Sequence, residues 1–153
     1  MGDPAWAGGE IETARSVVYP WLCDSMGHLA TQHYMRVFDD ATYHLLGRLG
    51  YSLHDSAKTR RGWADVSHSI EYRRELLAGD LVVVLSCVKR LGNKSLTYRS
   101  RLVRPHEPDE ECAVLTGVMV HFDLEHRTAV ELPAEIRAAA QAMLQPAGEA
   151  HRD

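Results

Sequence analysis

One stretch of this 153-residue chain has helical periodicity over several turns, and most of the chain beyond it alternates like strand. Tyr34, Phe38, Ala41, Leu45 and Leu49 fall at i, i+4, i+7, i+11 and i+15, with Met35 and Leu46 widening the stripe. Arg36, Asp39, Asp40 and Arg48 occupy the other faces, and Gly50 is placed to end the helix in a left-handed conformation. A lone amphipathic helix must bury its stripe against something, and here only a sheet is available.

The strands follow from shorter patterns. Residues 10–18 read as a first strand of modest strength. Residues 56–62 read as a basic, polar loop. From Trp63 to Tyr72, Ala64, Val66, Ile70 and Tyr72 alternate with Asp65, Ser67, Ser69 and Glu71. A turn at Ala78-Gly79-Asp80 precedes 81–88, a nearly continuous apolar run suited to a strand buried on both faces. Gly92-Asn93 marks a hairpin, 95–103 returns, and 105–110 reads as a proline-bearing loop. In the last long strand, 112–123, Gly117 signals a bulge or a close backbone approach. Pro133 opens a short helix running to Leu144. The expected product is one α+β domain over 10–145, a meander of four strands wrapped round one helix, with flexible tails at 1–9 and 146–153.

Composition narrows the function. A formal charge of −4 argues against a nucleic-acid partner, which normally meets a basic surplus. The three cysteines, Cys23, Cys87 and Cys112, have no metal-type spacing and read as reduced core thiols. No run has the length or pattern of a membrane span or signal peptide, so a soluble, cytoplasmic protein is expected.

The chemistry concentrates at Asp24-Ser25-Met26-Gly27-His28, between the first strand and the helix. A carboxylate beside a helix N-terminus faces unpaired N–H groups and the positive end of the helix dipole, which can hold a developing negative charge. That pairing is the minimum needed to hydrolyse an activated acyl group. The competing role for Asp24 is an Asx-turn or a helix cap. Gly27 permits a tight turn and a close approach of substrate. His28 could orient Asp24, donate to a substrate or cap the loop, and His33 or Tyr34 should face a pocket. His68 lies on an apolar face and is expected to be a satisfied core histidine. His28, His33 and His68 lack the spacing of a metal site, and neither metal nor cofactor is expected.

Asp-x-x-Gly-His followed by an aromatic-containing helix resembles the hotdog-fold acyl-CoA thioesterases of the 4-hydroxybenzoyl-CoA thioesterase type. The resemblance spans roughly 17–137 and is supported by Leu77-Ala78-Gly79-Asp80 and Leu91-Gly92-Asn93-Lys94-Ser95. The helix text from Tyr34 to Thr42 is similar to the subgroup that includes betainyl-CoA thioesterases. The resemblance implies a hotdog fold, Asp24 as catalytic base or nucleophile, and an oxyanion-holding backbone N–H at Thr31. It also implies CoA contacts from the hairpin at Asn93, Lys94 and Ser95. Lys89 and Arg90 beside it, and Arg99 and Arg101 on the next strand, add positive charge for phosphates. Pocket walls would come from Gly27, His33, Tyr34 and Trp63, and long apolar edge strands imply a homodimer or homotetramer. One departure stands out: Gly27-His28-Leu29 is followed by Ala30 where relatives carry an Asn that helps fix the loop. Two other readings remain: a hydratase or dehydratase on acyl-CoA, and a non-catalytic acyl-CoA-binding dimer.

Overall fold

A computed structural model describes residues 9–145; the expected tails at 1–9 and 146–153 lie outside it, Gly9 apart. The elements are β1 (Ile11–Val17), a 3-10 turn (Pro20–Leu22), α1 (Thr31–Arg48), α2 (Leu53–Thr59), β2 (Arg61–Tyr72), β3 (Leu81–Leu91), β4 (Ser95–Arg104), β5 (Glu107–Asp123), β6 (Thr128–Ala129) and α3 (Ala134–Ala142). The strands form one antiparallel sheet, ordered β1-β3-β4-β5-β2 with β6 on β5, curled round α1 as the hotdog fold requires.

The helical stripe is the one the periodicity marked. Phe38, Ala41 and Leu45 are fully buried, and Tyr34, Leu46 and Leu49 nearly so, against Val82, Val84, Val88, Leu96, Tyr98, Leu102 and Leu115 of the sheet. Each such large side chain stabilises the fold by about 1.5–3 kcal/mol relative to exposure. Gly50, at φ +95°, ends α1: its N–H donates to Gly47 O (3.1 Å) and the Tyr51 N–H to Leu46 O (3.0 Å), two bonds that close the helix on itself.

Four features differ from the sequence expectation. Part of the supposed loop at 56–62 belongs to α2, because the Ser52 hydroxyl accepts the Asp55 N–H (3.1 Å) and donates to its carboxylate (2.8 Å), a reciprocal cap that nucleates a turn. The loop at 105–110 shrinks to a turn at Pro105-His106, since β5 already starts at Glu107. The four strands are not one meander: β3, β4 and β5 are, but β2 pairs with β5 and leaves β3 to pair with β1. Finally, β2 does not alternate throughout. The ladder with β5 shifts register between Asp65 and Ser67, so Val66 is unpaired and 60% exposed while Trp63 and Ile70 both pack on the core. A bulge reverses which parity faces inward, so Ala64 and Val66 do not share a face with Ile70 and Tyr72.

Gly117 marks a close approach, not a bulge: it lies opposite Tyr98, and a Cβ there would sit inside the tyrosine ring. On the other face of the sheet Arg101 makes two bonds to Glu10 (2.7 and 2.6 Å) and Arg99 pairs with Glu111, over buried Val83, Leu85 and Val103. No helix among the described residues is long and apolar enough to cross a membrane.

Candidate active site

The Asp24 loop is built by its own hydrogen bonds. Cys23 and Leu29 form an antiparallel bridge, the Asp24 N–H donates to His28 O (2.8 Å), and the Gly27 N–H donates to Asp24 O (3.0 Å). Gly27 sits at φ +82°, a conformation costly for any residue with a Cβ, which is why a glycine closes this turn. The Asp24 carboxylate takes part: Oδ1 accepts from the Met26 N–H (2.8 Å) and the His28 N–H (3.2 Å). That is an Asx-turn, so the structural role foreseen for Asp24 is filled by one of its two oxygens, and Oδ2 lies outside the turn.

Two anchors fix the loop against the fold. Ala30 N–H donates to Leu22 O (2.9 Å), and Leu29 N–H to Leu76 O (2.7 Å). His28 does not orient Asp24 through its ring; it bridges to Leu77 and points Nε2 at the Glu75 carboxylate, 3.3 Å away. Behind it, Arg104 donates to Glu75 O (2.8 Å) and pairs with Asp80 (2.9 Å). Burial works against the charged form of Asp80, but Arg104 and the Leu77 N–H together hold its carboxyl below the usual range.

Helix α1 begins immediately after. Its N-cap, Ala30, has no side chain that can accept, so the first amides, at Thr31 and Gln32, have no capping side chain. Over 18 residues the peptide dipoles align, and their positive end lies at the end of the Asp24 loop. Tyr34 is buried on the first turn, edge-on to Tyr72 with ring centres 5.0 Å apart. Its hydroxyl pKa is pushed up to about 12, mostly by burial and further by Cys112, Tyr72 and Asp24 nearby, with Arg104 pulling the other way. His33 is half-buried, its Nε2 3.3 Å from Gln32. His68 is not the core histidine expected, since the residue is exposed on β2, but its ring is partnered: Nε2 lies 3.2 Å from Tyr98 Oη and 3.5 Å from Asp65.

The remaining candidates lie elsewhere. Trp63 is at the other end of α1, where it lines a cleft with Asp39, Tyr51 and Met119. The 92–95 hairpin is also at that end. The Asp24 loop meets the chain at Leu76 and Leu77, just before β3, and the hairpin begins where β3 ends. Eleven residues of strand separate them, about 33 Å. Within one chain, then, the carboxylate and the hairpin do not form a single site. Lys94 and Arg90 are exposed there, whereas Lys89 donates to Gln145 (3.2 Å) and Asn93 to Glu131 (3.1 Å). Ser95, half-buried, accepts the Gly92 N–H with its backbone oxygen (2.9 Å).

Arg99 and Arg101 are not available for phosphates, because Glu10 and Glu111 neutralise them. Sequence reasoning missed Glu75 and Arg104, which brace the loop, and Arg137, which donates to the carbonyls of Gly92 and Asn93 (3.1 and 3.0 Å). Nothing local marks these side chains, since each acts on a segment tens of residues away. Among the described residues no group of three His, Cys, Asp or Glu side chains converges as a metal site would.

Residues 18–140 match the family described as the thioesterase-like superfamily. No curated protein matches the chain in sequence. In structure it is similar to a hypothetical protein of Staphylococcus aureus, SAV2348, solved in complex with CoA (TM-score 0.82, 14% identity, 93% of this chain and 91% of that one). It is similar also to a 1,4-dihydroxy-2-naphthoyl-CoA thioesterase from Synechocystis (TM-score 0.73, 17% identity, 84% and 93%). A third is a gentisyl-coenzyme A thioesterase, BH1999 (TM-score 0.71, 19% identity, 83% and 98%). At these identities the likeness is one of fold.

Proposed function

We propose that this chain, which belongs to the thioesterase-like superfamily, hydrolyses a small or medium acyl-CoA to the free acid and CoA. The observation that carries this reading is the carboxylate of Asp24, held by one oxygen in a tight loop at the uncapped start of α1. With Oδ1 fixed, Oδ2 can attack the thioester carbonyl or take a proton from water that attacks it. In the first route the CoA thiolate leaves an acyl-Asp24 anhydride, which water then cleaves. In the second the proton taken by Asp24 passes to the departing sulfur. In both, the carbonyl oxygen gains charge and the amides at Thr31 and Gln32 receive it; one such donor is worth about 3–4 kcal/mol in the transition state. The chemistry uses only this chain's groups and water.

CoA-binding structural neighbours support acyl-CoA as the ligand. The text of residues 34–42, similar to betainyl-CoA-type members, supports a small acyl group. Lys94 and Arg90, with Lys89, Asn93 and Ser95 around them, are the proposed nucleotide contacts. Because the whole length of β3, about 33 Å of strand, lies between this hairpin and the segment that the Asp24 loop meets, it would serve the Asp24 of a second copy. One outer strand of the sheet supports that assembly: β2 offers a 12-residue edge paired only to β5. We therefore propose a homodimer or homotetramer of one domain, 10–145, with shared sites, working in the cytoplasm where Cys23, Cys87 and Cys112 stay reduced. Sedimentation showing a stable monomer at micromolar concentration would count against it.

One observation favours the non-catalytic alternative: Asp24 Oδ1 already has two N–H partners, as a purely structural aspartate would. Asp24→Asn decides between them. Asparagine Oδ1 can accept the same two N–H groups, so the variant keeps the loop but loses its basicity. Thiol release from a panel of acyl-CoAs should fall by at least about a hundredfold, the lower end for a general base. His28→Ala should cost less, because that ring faces Glu75. Near-normal hydrolysis by Asp24→Asn would sink the mechanism, and CoA-ester binding without thiol release in the wild type would leave a binding protein.

A further inference from the structure

We propose that Asp80 and Arg104, both outside the Asp24 loop, are positioning residues whose pair sets how the Asp24 carboxylate is presented at the start of α1. The loop's own bonds fix its internal shape: the Asp24 and Gly27 N–H groups and Asp24 Oδ1 all find partners within residues 24–28. They do not fix its direction. That falls to the attachments at its end, where the Leu29 N–H donates to Leu76 O (2.7 Å), His28 bridges to Leu77, and the Ala30 N–H donates to Leu22 O (2.9 Å). Two of these three attachments lie on residues 75–80, between β2 and β3, so the direction of the loop depends on what holds that segment.

Leu76, fully buried, fixes the depth of the segment, but a side chain in the core leaves its backbone free to turn. Two atoms fix the turn. Arg104 Nη2 donates both to Glu75 O (2.8 Å) and to Asp80 Oδ2 (2.9 Å), and the same oxygen accepts the Leu77 N–H (2.9 Å). The Asp80 N–H returns to Leu77 O (3.0 Å). One nitrogen and one oxygen therefore hold the residues on either side of Leu76, whose carbonyl meets the Asp24 loop. The bonds are charge-assisted and mostly shielded, with side chains 16% and 23% exposed, so they outweigh bonds between neutral groups. Tyr34, on the first turn of α1, feels both ends of the arrangement: burial leads the causes that raise its pKa, Arg104 opposes them and Asp24 adds to them.

That this positioning serves hydrolysis rests on the function proposed above; that it holds the loop does not, and the experiment reads the two separately. Amide hydrogen exchange, followed residue by residue by NMR, reports the opening of single bonds. Asp80→Ala removes the shared acceptor, and Arg104→Met removes the donor while keeping much of the stem. In each, the amides of His28 and Leu29 should exchange at least about tenfold faster, while those of Val84 and Leu102 in the core strands stay within about threefold. Asp80→Asn should return the His28 and Leu29 rates towards the wild-type values, because both bonds fall on one oxygen that asparagine retains. If the wild type releases thiol from acyl-CoAs, kcat should fall about tenfold or more in Asp80→Ala and Arg104→Met with KM within about twofold, since a displaced carboxylate still lets substrate bind. Wild-type exchange at His28 and Leu29 in both variants, an equal rise in the core strands, no recovery in Asp80→Asn, or an unchanged kcat would each overturn the proposal. A wild type without thiol release would count against the thioesterase reading alone, and the exchange rates would still decide this one.

Discussion

The ring of Tyr98 lies over the bare Cα of Gly117, directly opposite on β5. It cannot swing away, because its hydroxyl is fixed between Thr42 Oγ1 and His68 Nε2, each at 3.2 Å, and burial pushes its pKa up to about 12. Gly117→Ala must therefore displace the ring or part the strands. A loss of about 1–3 kcal/mol is expected, read as a lower denaturation midpoint. An unchanged midpoint would mean that the ring has more room than this packing shows.

Glu10 and Arg101 form the best buried ion pair of the outer sheet face, with side chains 6% and 13% exposed, and Arg101 also donates to Pro108 O (2.9 Å). Removing Glu10 leaves buried Arg101 with only the more distant Glu111 carboxylate, 3.8 Å away. Glu10→Ala should cost on the order of 3 kcal/mol, and Glu10→Leu combined with Arg101→Met should recover most of it. If the single variant unfolds within about 0.5 kcal/mol of the wild type, the pair behaves like an exposed one.

Asp123 sets an acid limit. Its carboxylate accepts the N–H groups of Glu125 and His126 (both 2.9 Å), lies 3.0 Å from the His126 ring, and pairs with Arg61 (2.7 Å). The His126 backbone bond leads the causes that hold its pKa at about 2, against an ordinary 3.8. The folded value lies below the unfolded one, so the unfolded chain takes up the proton first. This contribution is complete above pH 4 and is lost as pH falls towards 2. Denaturant midpoints measured across that window should fall more steeply for the wild type than for Asp123→Asn.

The hairpin at 92–95 should affect binding, not chemistry. Lys94→Ala is expected to raise KM for CoA esters while leaving kcat, because phosphate contacts are made alike in ground and transition states. Arg137→Ala, which frees the carbonyls of Gly92 and Asn93, should do the same by loosening the turn. Small thioesters lacking the nucleotide should be hydrolysed as before by both variants. Equal losses on both substrate types would remove the hairpin from the site.

What the sequence determined by itself was everything that a period or a backbone preference encodes. The stripe from Tyr34 to Leu49 can be buried in only one way, and Gly50 and Gly27 stand where a positive φ is needed. The apolar run of β3 announced a strand covered on both faces, and the Asp24 loop was legible because its glycine, carboxylate and helix start are contiguous. The tertiary structure decided whatever depends on partners distant in sequence. The bulge at Val66 arises from the ladder with β5, about fifty residues away, and only that ladder shows that Asp65 joins Trp63 at the cleft. Arg101 reads as a free cation until Glu10, 91 positions earlier, is found beside it. For His28 the sequence leaves three roles open, orienting Asp24, donating to a substrate or capping the loop, and only the structure places its ring on Glu75. Periodicity reports which face of an element is buried, but charge pairing and strand register are properties of two segments together, and neither segment carries them alone.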